Sequence, residues 1–112
     1  MNAPEAMSES DFHTRVDAVL AELEDVIDEV DGDIDAESTA GIMTLTFANN
    51  TKVIINRQTP NREIWVAAKS GGFHFRFDGK VWRDTRSNEQ LDLLLSRAIS
   101  LQSGCVVAIT IS

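Results

Sequence analysis

The sequence predicts an α+β sandwich: two helices packed on one face of a five- to six-stranded antiparallel sheet, in a single domain of 112 residues. Apolar residues recur at three- and four-residue steps from Phe12 to Val30 and again from Leu91 to Ile99. Between these stretches the period is two, broken at short intervals by Gly, Asn, Asp and Pro. Hydrophobic residues make up 43 % and charged residues 25 % of the chain, so a core can form at this length without disulfides or a structural metal.

Charge complicates the first helix. Residues 1–37 hold 13 of the 18 acids and one base, Arg15, for a net −12, whereas residues 38–112 carry +4. No Lys or Arg occurs from Val16 to Thr51. Such a block is often a disordered tail, and here the periodicity decides for a helix. Phe12, Val16, Val19, Leu20, Leu23, Val26, Ile27 and Val30 form one apolar face. Asp17, Glu24, Asp28 and Asp31 line one stripe of the opposite face, and Glu22, Asp25 and Glu29 another. Ser8 with Asp11 resembles a capping box, which starts the helix near Ser8 or Ser10, and Gly32 stops it. Residues 1–7 are expected to be flexible, leaving 8–112 as the domain.

From Asp33 the chain reads as strands: Asp33–Thr39, Ile42–Phe47, Lys52–Arg57, Glu63–Ala68, Phe73–Asp78 and Val81–Arg83. Asn49-Asn50 reads as a two-residue hairpin turn, with further turns at Pro60-Asn61, Gly71-Gly72 and Asp78-Gly79. Short turns between period-two strands imply a meander. Ser87 with Gln90 reads as the cap of the second helix. Its inner face is Leu91, Leu94, Leu95, Ala98, Ile99 and Gln102, and Gly104 stands past its end. The tail Cys105–Ile111 is too apolar to float free.

Each helix has one apolar stripe, so both should cover the same sheet face and leave the other wet. Ile64 and Val66 then point to the helices. Trp65 falls on the open face near His74 and Arg76, either as a contact site or as a ring half-shielded by its neighbours.

Composition excludes several functions. A net charge of −8 argues against nucleic acid and anionic membrane as partners. No apolar run is long enough to span a bilayer and no secretory signal is evident, so the expected compartment is the cytoplasm. Nucleophile elbow, phosphate loop, dinucleotide fingerprint and tyrosine are all missing, and no enzyme is expected. Cys105 lies in an apolar run and reads as buried and inert; His13 and His74 share no ligand spacing. Asp31-x-Asp33-x-Asp35 imitates a calcium loop, but Ala36 and Ile42 occupy the positions that need Gly and Glu.

What remains is the carboxylate surface. Acids at three- and four-residue steps lie about 5–6 Å apart between Cβ atoms and repel by a few tenths of a kcal/mol per pair. That arrangement invites a counter-charge from outside. Oxygen ligands suit hard cations such as Ca²⁺, Mn²⁺, Fe²⁺ and Fe³⁺, bound weakly because an open helix face cannot enclose an ion. A basic protein could use the same ridge, and a plain solvated face has the same composition.

Over residues 8–112 the chain resembles the frataxin family, in its bacterial CyaY-like branch. The resemblance rests on Phe12-His13, the acidic run ending Asp31-Gly32-Asp33, and Ile54-Ile55-Asn56-Arg57-Gln58-x-Pro60. It continues through Ile64-Trp65-x-Ala67-x-Lys69-x-Gly71-Gly72-Phe73-His74-Phe75, Trp82-x-Asp84-x-Arg86-Ser87 and Leu91–Leu95. It implies the same two-helix, one-sheet sandwich and a role in iron–sulfur cluster assembly, as iron donor or as regulator. It also implies weak iron binding (Fe²⁺ or Fe³⁺) at Glu24, Asp25, Asp28, Glu29, Asp31 and Asp33, with Asp35 and Glu37 on the first strand. The loop and strand after Asp33 are somewhat shorter than in other bacterial members. The implied partners are a cysteine desulfurase of the IscS type and the scaffold machinery. Glu22, Glu24 and Asp28 of the ridge and Asn56, Arg57, Gln58 and Trp65 of the sheet would contact them. Without metal the chain is expected to be a monomer.

Overall fold

The computed structural model describes residues 7–30 and 33–111. Helix α1 spans Glu9–Glu29. Ser8 caps it, its Oγ accepting the Asp11 N–H at 3.1 Å, and Glu9 and Asp11 place negative charge against the helix's positive end. Phe12, Val16, Val19, Leu23 and Ile27 are buried, with Leu20, Val26 and Val30 half-buried beside them, as the spacing predicts. Val30 is already extended. Gly32, the expected stop, lies outside the described residues, as do residues 1–6. Met7, expected in the flexible stretch, packs against the core, and its carbonyl accepts from Arg62 Nε at 3.0 Å.

Six strands follow: β1 (Ile34–Thr39), β2 (Ile42–Phe47), β3 (Lys52–Gln58), β4 (Glu63–Ala68), β5 (Gly71–Phe77) and β6 (Trp82–Asp84). They form one antiparallel sheet in sequence order, the expected meander. Two turns differ from expectation. Phe47 N–H donates to Thr51 O at 2.9 Å, so the β2–β3 loop has three residues rather than the two of Asn49-Asn50. Asn49 Oδ1 holds it by accepting from Thr51 N and Oγ1, and Asn50 takes a positive φ of 68°. Gly71 and Gly72 are not a turn; they pair with Ala68 and Ala67 as the first residues of β5, and Lys69-Ser70 make the hairpin. Gly71 needs its freedom for a φ of +143°.

Pairing sorts the side chains. Met43, Leu45, Phe47, Val53, Ile55, Ile64, Val66, Phe75 and Trp82 are all buried in one core with α1 and with α2 (Leu91–Ser103). The inner face of α2 is as predicted: Leu91, Leu94, Leu95, Ala98, Ile99 and Gln102. Gln102 is polar yet satisfied, its Nε2 donating to Lys52 O and its Oε1 accepting from Lys69 N, both at 3.0 Å. The start of α2 is a correction. Gln90 is the capping residue and makes no side-chain bond; Ser87 instead bonds Asp84 and the Glu89 N–H, because the loop turns back toward β6 first. Gly104, at φ 76°, ends the helix. The tail packs on the core through Val107 and Ile109, and Cys105, expected to be buried, is half-buried. Among the described residues no helix is long and apolar enough to cross a membrane.

Burial sets the first test. Leu94→Ala, in the core, should lower unfolding free energy by about 2–5 kcal/mol in a urea titration. Leu93→Ala, at a side chain 55 % exposed, should stay within about 0.5 kcal/mol. The β5–β6 turn sets a second. Asp78 accepts from the Val81 and Lys80 N–H groups and from Arg83, which holds its carboxyl down at about 2 from an ordinary 3.8. A depressed acid stabilises the fold above its unfolded value, and that contribution disappears as pH falls from about 4 to about 2. The Asp78 carboxyl should titrate near 2 by NMR, and Asp78→Asn should flatten stability across that window.

Candidate functional site: an acidic ridge and an open sheet face

The packing of α1 presents Glu24, Asp25, Asp28 and Glu29 to solvent, with Glu22 half-buried at the margin. Steps of three and four residues bring these carboxylates together as neighbours along the helix surface. Asp33 is exposed before β1, and Asp31 lies outside the described residues. The strand acids sit elsewhere. Ile34 pairs with Phe47 and Ala36 with Leu45, which turns Ile34 and Ala36 toward the helices. Asp35 and Glu37 therefore project from the opposite face of the edge strand, beside Thr46 and Thr44. The acids expected to act together thus occupy two layers. Among the described residues no three His, Cys, Asp or Glu side chains converge closely enough to hold an ion. Such a surface can attract a cation and offer it one or two carboxylates, with water completing the shell.

Arg57, expected with Asn56, Gln58 and Trp65 among the sheet residues that contact partners, does not share their face: it keeps step with Val53 and Ile55 and pairs with Ile64, so it points to the helices. Its Nη2 donates to Asp17 Oδ1 at 2.6 Å and its Nη1 to His13 Nδ1 at 2.8 Å. A guanidinium only donates, so His13 accepts at Nδ1 and the proton of the neutral ring sits on Nε2, 3.7 Å from Glu9. The clasp lends the acidic helix a base from the sheet: Asp17 leaves the ridge stripe to pair with Arg57. The contact joins residues 40 apart, beyond the reach of any local pattern. The phase of Arg57 within its strand was the available signal.

On the open face Asn56 lies opposite Trp65, and Trp65 opposite His74. The indole stacks on the imidazole, centroids 4.2 Å apart and planes 10° from parallel. Trp65 Nε1 donates to Glu63 Oε1 at 2.8 Å, and Arg76 Nη2 reaches Glu63 Oε2 at 2.5 Å. Glu63 is only 5 % exposed, a carboxylate held between an indole and a guanidinium on an otherwise wet face. Nothing in the local pattern around Glu63 marks it, because Arg76 reaches it through the register of β4 and β5. Asn56 and Gln58 are half-buried on the same face, and Ile42 is exposed at 37 %. Trp65 is consequently a fixed platform rather than a swinging ring.

Fold and site together define a small two-layer α+β domain with a charged ridge on its helix layer and a flat aromatic face on its open sheet side. The frataxin-like domain model matches residues 5–105, and the chain belongs to that family. The chain is 48 % identical over 98 residues to the iron-sulfur cluster assembly protein CyaY of Paraburkholderia phymatum, covering 88 % of this chain and 93 % of that protein. It is 45 % identical over 105 residues to the protein of that name from Burkholderia mallei, covering 91 % and 97 %. Among solved structures, frataxin from Psychromonas ingrahamii superposes with a TM-score of 0.87 at 36 % identity, over 93 % of this chain and 99 % of that one. Trimeric yeast frataxin complexed with ferrous iron gives 0.67 at 27 % identity, over 93 % of each.

Two substitutions test this geometry. Trp65→Phe keeps the stack but removes the donor to Glu63, and should cost about 0.5–1.5 kcal/mol by chemical denaturation. Arg57→Ala strips His13 and Asp17 of their partner and a packed stem from beneath α1, for a loss of about 1–3 kcal/mol.

Proposed function

We propose that this chain serves iron–sulfur cluster assembly by presenting its acidic ridge to iron and to a cysteine desulfurase, with the Trp65 face contacting the scaffold machinery. The observation that carries the reading is the exposed row Glu24, Asp25, Asp28 and Glu29, neighbouring carboxylates gathered on one helix surface. A self-repelling surface of this kind gains from any external positive charge. Iron is cargo here, bound loosely enough to be handed on: the acids are hard oxygen ligands and do not form a closed shell. The names of the CyaY relatives and the ferrous complex of yeast frataxin support the same reading.

A second reading has its own support. Since no three metal-binding side chains converge among the described residues, the ridge also suits a pure docking surface that modulates the desulfurase, with metal binding incidental to charge. A desulfurase and cluster-assembly assay, run with and without iron, separates the two. Under the first reading the effect of the wild-type chain depends on iron, and the Glu24, Asp25, Asp28 and Glu29 amide variant loses it. Under the second, the wild-type chain acts equally without iron.

Docking through the ridge should be strongly salt-dependent, because exposed charges are screened within about 8 Å at physiological ionic strength. Glu24→Lys with Asp28→Lys should weaken desulfurase affinity, and Glu89→Lys, on the loop before α2, should leave it unchanged. Salt-independent binding measured by titration calorimetry would remove the ridge from the interface. In the absence of metal the four-amide variant should melt higher than the wild type, since repulsion is relieved. At matched ionic strength the wild type should gain about 4–8 °C from Fe²⁺ at ten times its dissociation constant, and the amide variant should not respond.

A further inference from the structure

After Gly104 the chain reverses and runs back along α2 as an extended segment outside the sheet. Its backbone is held by side chains of the helix. Ser100 Oγ accepts the Val107 N–H at 2.9 Å and donates to the Val107 carbonyl at 3.0 Å. One turn earlier, Ser96 Oγ accepts the Ile109 N–H at 2.8 Å, with the Ile109 carbonyl 3.2 Å away. One turn earlier again, Asp92 Oδ2 accepts the Ile111 N–H at 3.4 Å. The two periods match. Four helical residues advance about 6 Å and two extended residues about 6.6 Å, so every fourth side chain of α2 meets every second residue of the strap. Val107 and Ile109 insert into the core at 4 % exposure each, whereas Val106 is 98 % exposed.

We propose that Asp92, Ser96 and Ser100 form a backbone-reading track, a binding site for one extended, uncharged peptide with aliphatic side chains at alternate positions. Its resident is the chain's own 105–111 segment, which leaves and rejoins the track as a unit while the two-layer domain stays folded. The attachment is one strand wide: Val107 and Ile109 are buried, Cys105 and Ile111 pack half-buried beside them, and a line of side-chain hydrogen bonds holds the backbone, pivoting on a glycine at φ 76° whose Cβ position faces open space. Segments attached this way open at a cost below that of global unfolding. Opening bares the cleft that the strap shares with Val26 and Val30 of α1, so the last turn of the acidic helix loses cover when the strap is away.

Amide hydrogen exchange on the full-length chain tests this. Val107 and Ile109 should be protected, and Val106, Ala108 and Thr110 should exchange at nearly unprotected rates. Low urea should barely change exchange at Val107 and Ile109 but should steeply accelerate it at Ile55 and Val66 in the core. Ser96→Ala and Ser100→Ala should each raise exchange at both Val107 and Ile109 by about fivefold or more, the equilibrium effect of the hydrogen bonds each hydroxyl makes to the strap, with Ile55 and Val66 unchanged. Three outcomes would overturn the proposal: strap amides that exchange only with the core, serine variants that leave both strap amides unchanged, or effects confined to the residue that lost its partner.

Discussion

Everything in this domain hangs on a sheet that can be buried on one side only. Met43, Leu45, Val53, Ile55, Ile64, Val66 and Phe75 share one face of a six-strand meander, the residues between them, Ile54 and Trp65 included, face the other way, and two helices are enough to cover the apolar face. That single layer of packing fixes the rotation of α1 about its axis. With Phe12, Val16, Val19, Leu23 and Ile27 committed to the core, the acids have nowhere to go but outward. Core and ridge are two sides of one periodicity.

The same constraint creates the second surface. A meander with both helices on one face leaves the other face to solvent, and a large ring there needs its own means of being held. Trp65 is held by the His74 ring beneath it and by Glu63, whose carboxylate is shared with Arg76. A rigid, amphipathic aromatic loses little conformational freedom on binding, which suits a contact platform. Ridge and platform lie in opposite layers and share no side chain.

Arg57 and the C-terminal strap show how the layers are tied at their margins. Arg57 spans from β3 to His13 and Asp17, fastening the N-terminal half of α1 to the sheet. The strap closes the helix layer at the other end through Ser96 and Ser100. Serine hydroxyls hold the strap because its backbone has left the sheet and has no ladder to join.

Much of this was legible in the sequence, because period and capping are local. The helical face of α1, its Ser8 cap, the inner face of α2, the alternation that turns Trp65 outward and the resemblance to the frataxin family all follow from residues within a few positions of one another. Turns are less local. Asn49-Asn50 and Gly71-Gly72 carry turn chemistry, yet the register of the flanking strands decides which residues the loop contains. Three features belonged to tertiary structure alone: the Arg57 clasp, the burial of Glu63, and the division of the acids between α1 and the far face of β1. Each is set by which strand lies beside which and in what register. Charge along a chain tells how much repulsion must be accommodated; only the folded arrangement of layers decides which charges meet.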